Sequence, residues 1–425
     1  MSTDARATGP AVPPSERLII FLVGAIQFIN IVDFMMVMPL GPYYAGALGI
    51  STAHLGQIAG SYTAAAAIAG IVAARFLDRF DRRKALGVAL FGLVAGTAAG
   101  AFAQGLPSLV FARAVAGAFG GPATSIALSI VTDAVPPARR GRAIGAVMGA
   151  LSVASVLGVP MGLRLAIWGG WRLPFIVVAG MGVVVGILAL LKMPSLRGHI
   201  VPGGGRGPTL SALLGDGTIR LALAMNALVM LTTFLVVPNI APHLLQNLGY
   251  PRDRLDLGYM VGGAASFLIM RVAGHGIDRY GAARVSVVGT VVLIGVLYFA
   301  FIAPGAIGTA GVLAVFVLFM GANSVRNVSM SSLSTRVPRA DERAGYMSLQ
   351  STAQHMGSAT SAFVSSRLLH EAPGGRLSGI STVSTISAVL ALGLPPLLAA
   401  ISKRVTARER QNSSAPVNEK TFSEG

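Results

Sequence analysis

The chain has no cysteine and little charge. Without cysteine there is no disulfide and no zinc or iron–sulfur site built on thiolates, so the redox compartment leaves no trace in the sequence. Asp, Glu, Lys and Arg make up 12% of the 425 residues, against about 25% in a soluble globular domain. That is too little charge to solvate an ordinary surface. No Gly-x4-Gly-Lys-Ser/Thr phosphate loop occurs, which excludes ATP as a driving force by that route, and no His-Glu-x-x-His metal motif occurs. No insertion is large enough for an enzyme domain, and no cofactor is expected. Residues 1–16 are polar and lack an apolar core, which does not fit a cleaved signal peptide. The first apolar stretch is therefore expected to stay as a helix.

Hydrophobic residues, at 53%, and glycine, at 53 residues, dominate what is there. A membrane helix needs about 20 mostly apolar residues. Twelve stretches qualify, near 17–40, 53–76, 85–103, 107–133, 142–165, 173–193, 218–240, 255–274, 284–303, 309–334, 344–367 and 378–401. The pattern predicts an all-α integral membrane protein of twelve transmembrane helices in two homologous six-helix bundles. Residues 1–193 form the first bundle, 194–217 a Gly- and Pro-rich linker, 218–401 the second bundle and 402–425 a disordered tail.

The net charge of +17 suggests a nucleic-acid binder. Such a protein needs its basic residues clustered on a solvated face. Here they lie in short clusters between apolar stretches, so no nucleic-acid partner is expected. With both termini placed in the cytoplasm, only Arg164, Arg172, Arg252, Arg254, Arg367 and Arg376 fall outside, while Arg113 and Arg326 lie within spans. The rest of the 33 Lys and Arg are then inside. This asymmetry predicts an inner-membrane protein of that orientation.

An internal repeat follows. Asp78-Arg79-Phe80-Asp81-Arg82-Arg83 recurs after span eight as Asp278-Arg279-Tyr280-Gly281, led by Gly274 and followed by Arg284. Val135-Pro136 recurs as Val337-Pro338. Both offsets are near half the chain, so the halves are homologous. Duplicated halves are a common plan in secondary transporters, with the substrate site near mid-membrane between them.

These loops resemble the signature of the major facilitator superfamily, Gly-x3-Asp-Arg-x-Gly-x-Arg-Arg. The second copy matches from Gly274 through Arg284. In the first, Ala74 replaces the leading Gly and Asp81 the turn Gly, and Asp81 is expected to tolerate the left-handed conformation of that turn. Span four carries Arg113-x3-Gly117-x2-Gly120-Gly121, and span five carries Gly145-x3-Gly149 and Gly158-Val159-Pro160-Met161-Gly162. These resemble proton-driven drug and sugar efflux permeases, although Val159 stands between the usual Gly-Pro pair. Small residues four apart serve either plain helix packing or a flexing helix at the interface between halves. The resemblance implies a monomeric twelve-span antiporter surrounded by lipid, with a cytoplasmic gate at Asp78, Arg79, Arg82, Arg83, Gly274, Asp278, Arg279 and Gly281. Asp78 and Asp278 would cap helices or pair with arginines across that face.

An ionisable side chain at membrane depth is a functional hypothesis by default. Asp33 is the one acid well inside a predicted span. It sits roughly 10 Å from the outer end of span one, and Arg113 lies roughly 9 Å deep from the same side, at 1.5 Å per residue. The resemblance places spans one and four together on the cavity, so a direct or water-bridged Asp33–Arg113 pair is expected. The pair serves proton coupling or, alternatively, static packing. Gln27 and Asn30 lead to Asp33 on one stripe, and Met35, Met36 and Met38 follow as lipid contacts or an adaptable substrate surface. Span ten is polar, with Asn323, Ser324, Arg326 and Asn327, and must face water or another helix. Arg326 has no intramembrane acid in its own half, and it binds an anionic group or reaches backbone carbonyls. Gln350, Gln354 and His355 on span eleven, and Asn226, Thr232 and Thr233 on span seven, complete the candidates. His355 is either a second coupling group or a packing residue.

The function expected is proton-coupled export of a small molecule, whether drug-like compound, sugar or metabolite, by alternating access. Proton-coupled import of an organic anion, a membrane sensor of the same fold and an intramembrane enzyme are the alternatives.

Overall fold

In hydrocarbon a backbone has no water to bond, so a spanning chain must satisfy its own N–H and C=O groups, and helices do this within one segment. The computed structural model describes residues 14–76, 80–196, 210–305, 307–339 and 342–414. The first bundle comprises α1 (Pro14–Met36), α2 (Leu55–Phe76), α3 (Arg82–Ala101), α4 (Leu106–Ala134), α5 (Pro137–Val153, carried on by Ala154–Gly158 and Val159–Gly169) and α6 (Arg172–Lys192). The second comprises α7 (Gly217–Phe234), α8 (Leu255–Tyr280), α9 (Ala282–Leu297), α10 (Thr309–Ser334), α11 (Arg343–Leu368) and α12 (Ile380–Ala391, then Leu394–Ser414). Twelve crossings return the chain to the face from which it began, called here the terminal face. The opposite one is the distal face.

Among the described residues, eleven helices are long and apolar enough to cross a membrane. The twelfth is α11. Its 26 residues reach about 39 Å, but Ser, Thr and Gln lower its hydropathy. It packs between α2 and α7, with Ser358, Ser361 and Ser365 buried.

The expected boundaries differ most from the observed ones in two places. α12 continues to Ser414, past residue 401. Its end is tied down: Arg408 clamps Asp216 through both carboxylate oxygens at 2.8 Å, and Arg336 pairs with Glu409. Within the expected linker, Leu210–Gly215 forms a short helix. α12 bends where Gly393, Pro395 and Pro396 interrupt its hydrogen-bond ladder.

The repeat loop takes two solutions at equivalent positions. Gly281 has φ 84°, a conformation that suits glycine. Asp81 does not adopt the left-handed form expected for it. Its φ is −56°, its carboxylate caps α3 by accepting from the Arg83 N–H, and it also accepts from the Leu196 N–H beyond α6. A side chain that can bond the backbone replaces the turn with a cap.

The halves meet along α2–α11 and α5–α8, and the seam is tighter at the distal end. A Cβ added at Gly56 would fall on the Ala362 carbonyl oxygen. At Gly60 it would lie 3.1 Å from the Phe363 ring, and at Gly70, nearer the terminal face, 3.9 Å from Thr352 Oγ1. On the other seam Gly263 of α8 sits against the Ser155 carbonyl, within the wider π turn Ala154–Gly158 of α5.

Candidate functional site

Polar contacts between the halves gather at the distal face. Arg164 at the end of α5 bridges Asp256 at the start of α8 at 2.6 Å. Arg252 donates to the Pro42 carbonyl at 2.8 Å and lies over the Tyr43 ring. Thr52 donates through its N–H to Glu371 and through its hydroxyl to Gln246. Glu371 is held by a short hairpin, His370–Glu371 paired with Leu377–Ser378. Below these, Phe34 of α1 stacks on Phe234 of α7 with ring centroids 5.8 Å apart.

Between the bundles, with these two rings in its wall, lies a cavity of about 520 Å³, within the range that holds drug-sized ligands. Among the described residues, none of its lining side chains is Asp, Glu, Lys or Arg. Aromatic rings and Met35, Met38, Met230, Met270 and Met320 give the wall its large apolar side chains. Asn30 and Thr124 on one side, and Asn323, Asn327 and His355 on the other, supply polar groups.

Asp33 and Arg113 form a direct ion pair, 0% and 1% exposed. Arg113 Nη1 donates to Asp33 Oδ1 at 2.9 Å and Nη2 to Oδ2 at 3.0 Å. Thr97 of α3 donates to Oδ1 at 2.7 Å. Fork-on-fork geometry with a third donor is how a buried carboxylate offsets its lost hydration.

Neither charge lines the cavity. Asp33, expected at the substrate surface, points into the first bundle among α1, α3 and α4. Asn30, about 60° away around the helix, reaches the cavity wall in its place. One layer separates the two. Tyr62 of α2 lines the cavity, and its ring lies 4.7 Å from the Arg113 guanidinium carbon. Its hydroxyl donates to Asn30 Oδ1 at 2.9 Å, while Asn30 Nδ2 donates to the Gly120 carbonyl and Thr124 Oγ1, each at 2.9 Å. The span-four glycines make room for this layer: a Cβ at Gly117 would strike the Tyr62 backbone, and one at Gly120 its hydroxyl.

The second bundle holds a buried arginine that has no carboxylate partner among the described residues. Arg326 is 0% exposed, with Nη2 donating to Thr232 Oγ1 at 2.6 Å and Nη1 to Asn323 Oδ1 at 3.3 Å. Its partners are side chains rather than the backbone carbonyls considered from sequence. Asn226, Gln354 and Ser334 form a separate polar cluster away from the cavity, Gln354 Nε2 donating to Asn226 Oδ1 and Asn226 Nδ2 to Ser334 Oγ. Gln27 is buried with Oε1 unpartnered, Met36 belongs to the apolar core, and Gln350 is half-buried outside the cavity lining. Of the expected substrate set, the structure therefore brings Asn30, Asn323 and Asn327 to the cavity, with His355 beside them. It leaves Gln27, Asp33, Met36, Asn226, Arg326, Gln350 and Gln354 off the lining. A helix span read by depth alone does not say which way each side chain turns.

At the gate, Asp78 and Arg79 lie outside the described residues. Arg82 bonds Asp133 at 3.4 Å and Arg83 bonds the Met193 carbonyl at 3.0 Å, both within the first bundle. Asp278 is exposed, Arg279 lies over the Tyr280 ring, and Gly274 has open space around it. Sequence reasoning missed Thr97 and Tyr62. Thr97 stands as a lone hydroxyl in the Ala- and Gly-rich end of α3, which was its only signal.

The arrangement is that of two bundles closed at one face around a central cavity, and comparison with known proteins gives the family. The sequence profile of the Major Facilitator Superfamily matches residues 23–362. The chain belongs to that superfamily. It is a multi-pass membrane transporter with efflux pumps among its relatives, rather than an enzyme. It is 29% identical over 266 residues, 62% of this chain and 67% of the other, to a chloramphenicol resistance protein of Streptomyces lividans. It is 27% identical over 257 residues, 60% and 63%, to a purine ribonucleoside efflux pump of Escherichia coli O6:K15:H31. The matches span from 47% to 67% of such relatives' own length. Among solved structures, an inward-facing, unoccupied bacterial homolog of the human lysosomal transporter Spinster superposes with TM-score 0.70 at 16% identity, covering 93% of this chain and 99% of that one. A D-xylose–proton symporter superposes with TM-score 0.70 at 16% identity, over 90% and 96%. At such identities these structures speak for the fold.

Proposed function

We propose that this transporter exports a small, aromatic-bearing molecule from the cytoplasm in exchange for protons. The observation that carries the reading is the sealed Asp33–Arg113–Thr97 site one residue layer behind the cavity wall. A carboxylate held by a bidentate arginine keeps its grip only while ionised. A proton reaching Asp33 from outside would cancel the charge, release Arg113 and loosen the Tyr62–Asn30 layer resting on it. Substrate in the cavity meets that same layer, so proton and substrate act on one element. Asp33 and Arg113 then serve as coupling residues and Asn30, Asn323, Asn327 and His355 as substrate contacts.

The terminal face, which carries the basic loops, is taken as cytoplasmic. The conformation is then closed outside and loosened inside, ready to load substrate from the cytoplasm. The efflux pumps among its relatives favour outward transport. A second reading, proton-coupled import of an organic anion, is favoured by Arg326, whose charge has no carboxylate partner among the described residues.

The test is accumulation in cells stripped of their own pumps, over a panel that includes an uncharged nitroaromatic amide and a purine nucleoside. Expression lowers accumulation of at least one compound, and a protonophore restores it. Raised accumulation of an organic anion would move the assignment to the importer.

A further inference from the structure

We propose that the cavity selects its cargo by charge, taking uncharged or anionic aromatic molecules and rejecting organic cations, and that Arg326 sets this selection. The inference rests on the cavity being the substrate site.

Two arginines lie behind the cavity wall, and they are not equivalent. Arg113 is neutralised by Asp33 at 2.9 Å. Among the described residues, the partners of Arg326 are neutral, Thr232 and Asn323. A guanidinium stays protonated in a protein, so a positive charge remains on the second bundle's side. The residue that accepts its hydrogen bond, Asn323, lines the cavity, as does Thr233, whose hydroxyl donates to the same Asn323 oxygen at 3.0 Å. Among the described residues, no acidic side chain on the lining counters the charge.

Two effects compete for a cationic ligand. The faces of Tyr259, Phe316 and Phe319, which line the same side, attract a cation by about two- to thirtyfold. A unit charge one side-chain layer behind the wall, taken as about 7 Å, would repel it by about fiftyfold at an effective dielectric near 20. Repulsion wins, while a neutral ring keeps its stacking and a carboxylate gains attraction. Asn327 and His355 remain to hydrogen-bond polar substituents.

The test is isothermal titration of the purified full chain with ligands built on one aryl amide: the neutral parent, a carboxylate analogue and a trimethylammonium analogue. In the wild type the parent and the carboxylate bind, and the trimethylammonium analogue binds at least about fivefold more weakly. Asn323→Asp sets a carboxylate against Arg326 while keeping the acceptor that Arg326 and Thr233 use. Arg326→Gln removes the charge directly. In either variant the trimethylammonium analogue binds at least as tightly as the parent. A wild type that binds the cation as tightly as the parent, or binds neither the parent nor the carboxylate, overturns the proposal. So does an order unchanged in both variants. The predicted order without proton-linked flux in vesicles would instead remove the exporter reading and leave the selection rule standing.

Discussion

Breaking the Arg164–Asp256 bridge should open the distal face. The pair joins α5 to α8 across the seam at 2.6 Å, with the Asp256 side chain 7% and the Arg164 side chain 46% exposed. Two unit charges about 4 Å apart attract by about 4 kcal/mol at an effective dielectric of 20. Because Arg164 is nearly half in solvent, screening reduces this to about 1–1.5 kcal/mol. Asp256→Asn therefore shifts the balance between distal-closed and distal-open states by about tenfold. Arg252 on Pro42 and Thr52 on Glu371 remain to hold the rest of the face. The chain carries no cysteine, so spin labels can be placed at Ala47→Cys and Arg376→Cys, exposed sites on opposite halves, without removing native thiols. Double electron–electron resonance should show the ratio of longer- to shorter-distance populations rising about tenfold in the variant. A distance distribution identical to that of the unsubstituted bridge would refute the assignment of this pair as a latch.

Further outcomes follow from the same geometry. Gly120→Ala sets a methyl against the Tyr62 hydroxyl and Asn30 Oδ1, so transport should fall at least tenfold while size-exclusion behaviour and thermal unfolding stay close to wild type. If transport is untouched, the Tyr62–Asn30 layer is not part of the cycle. Burial opposes ionisation of Asp216, but the Arg408 clamp and the Thr218 N–H outweigh it and hold the carboxyl below its usual range. A lowered folded pKa means the stabilisation is present above the unfolded carboxylate value of about 3.9 and is lost as pH falls through the folded value. The melting temperature of Asp216→Asn should thus lie below wild type at pH 7 and converge with it under acid. A constant gap across that range would count against the clamp.

The spans were legible because lipid imposes a length and a composition, and the repeat was legible because both copies kept their Asp-Arg pairs. Depth was legible too. A rise of about 1.5 Å per residue set Asp33 and Arg113 at one level, and they are in contact. Rotation was not legible. Whether Asp33 or Asn30 turns to the cavity depends on how closely α2 approaches α4, which Gly117 and Gly120 decide through a contact 55 residues distant in sequence from Tyr62 at its nearer member. Arg164 and Asp256 read as charges flanking spans, because nothing local reveals that the two flanks meet. The end of α12 read as tail because its helix is polar, and only Asp216 and Arg336, far away in the chain, explain its order.

The central claim is that Asp33 couples protons to transport. Everted membrane vesicles, acid inside, should release luminal protons when a transported compound is added, and Asp33→Asn should abolish the release while the compound still binds. The amide keeps the side chain's shape and removes its charge, so loss of proton movement with binding intact assigns the coupling to the carboxylate. Substrate-dependent proton release that survives unchanged in the variant would contradict the account and make the Asp33–Arg113 pair a packing element.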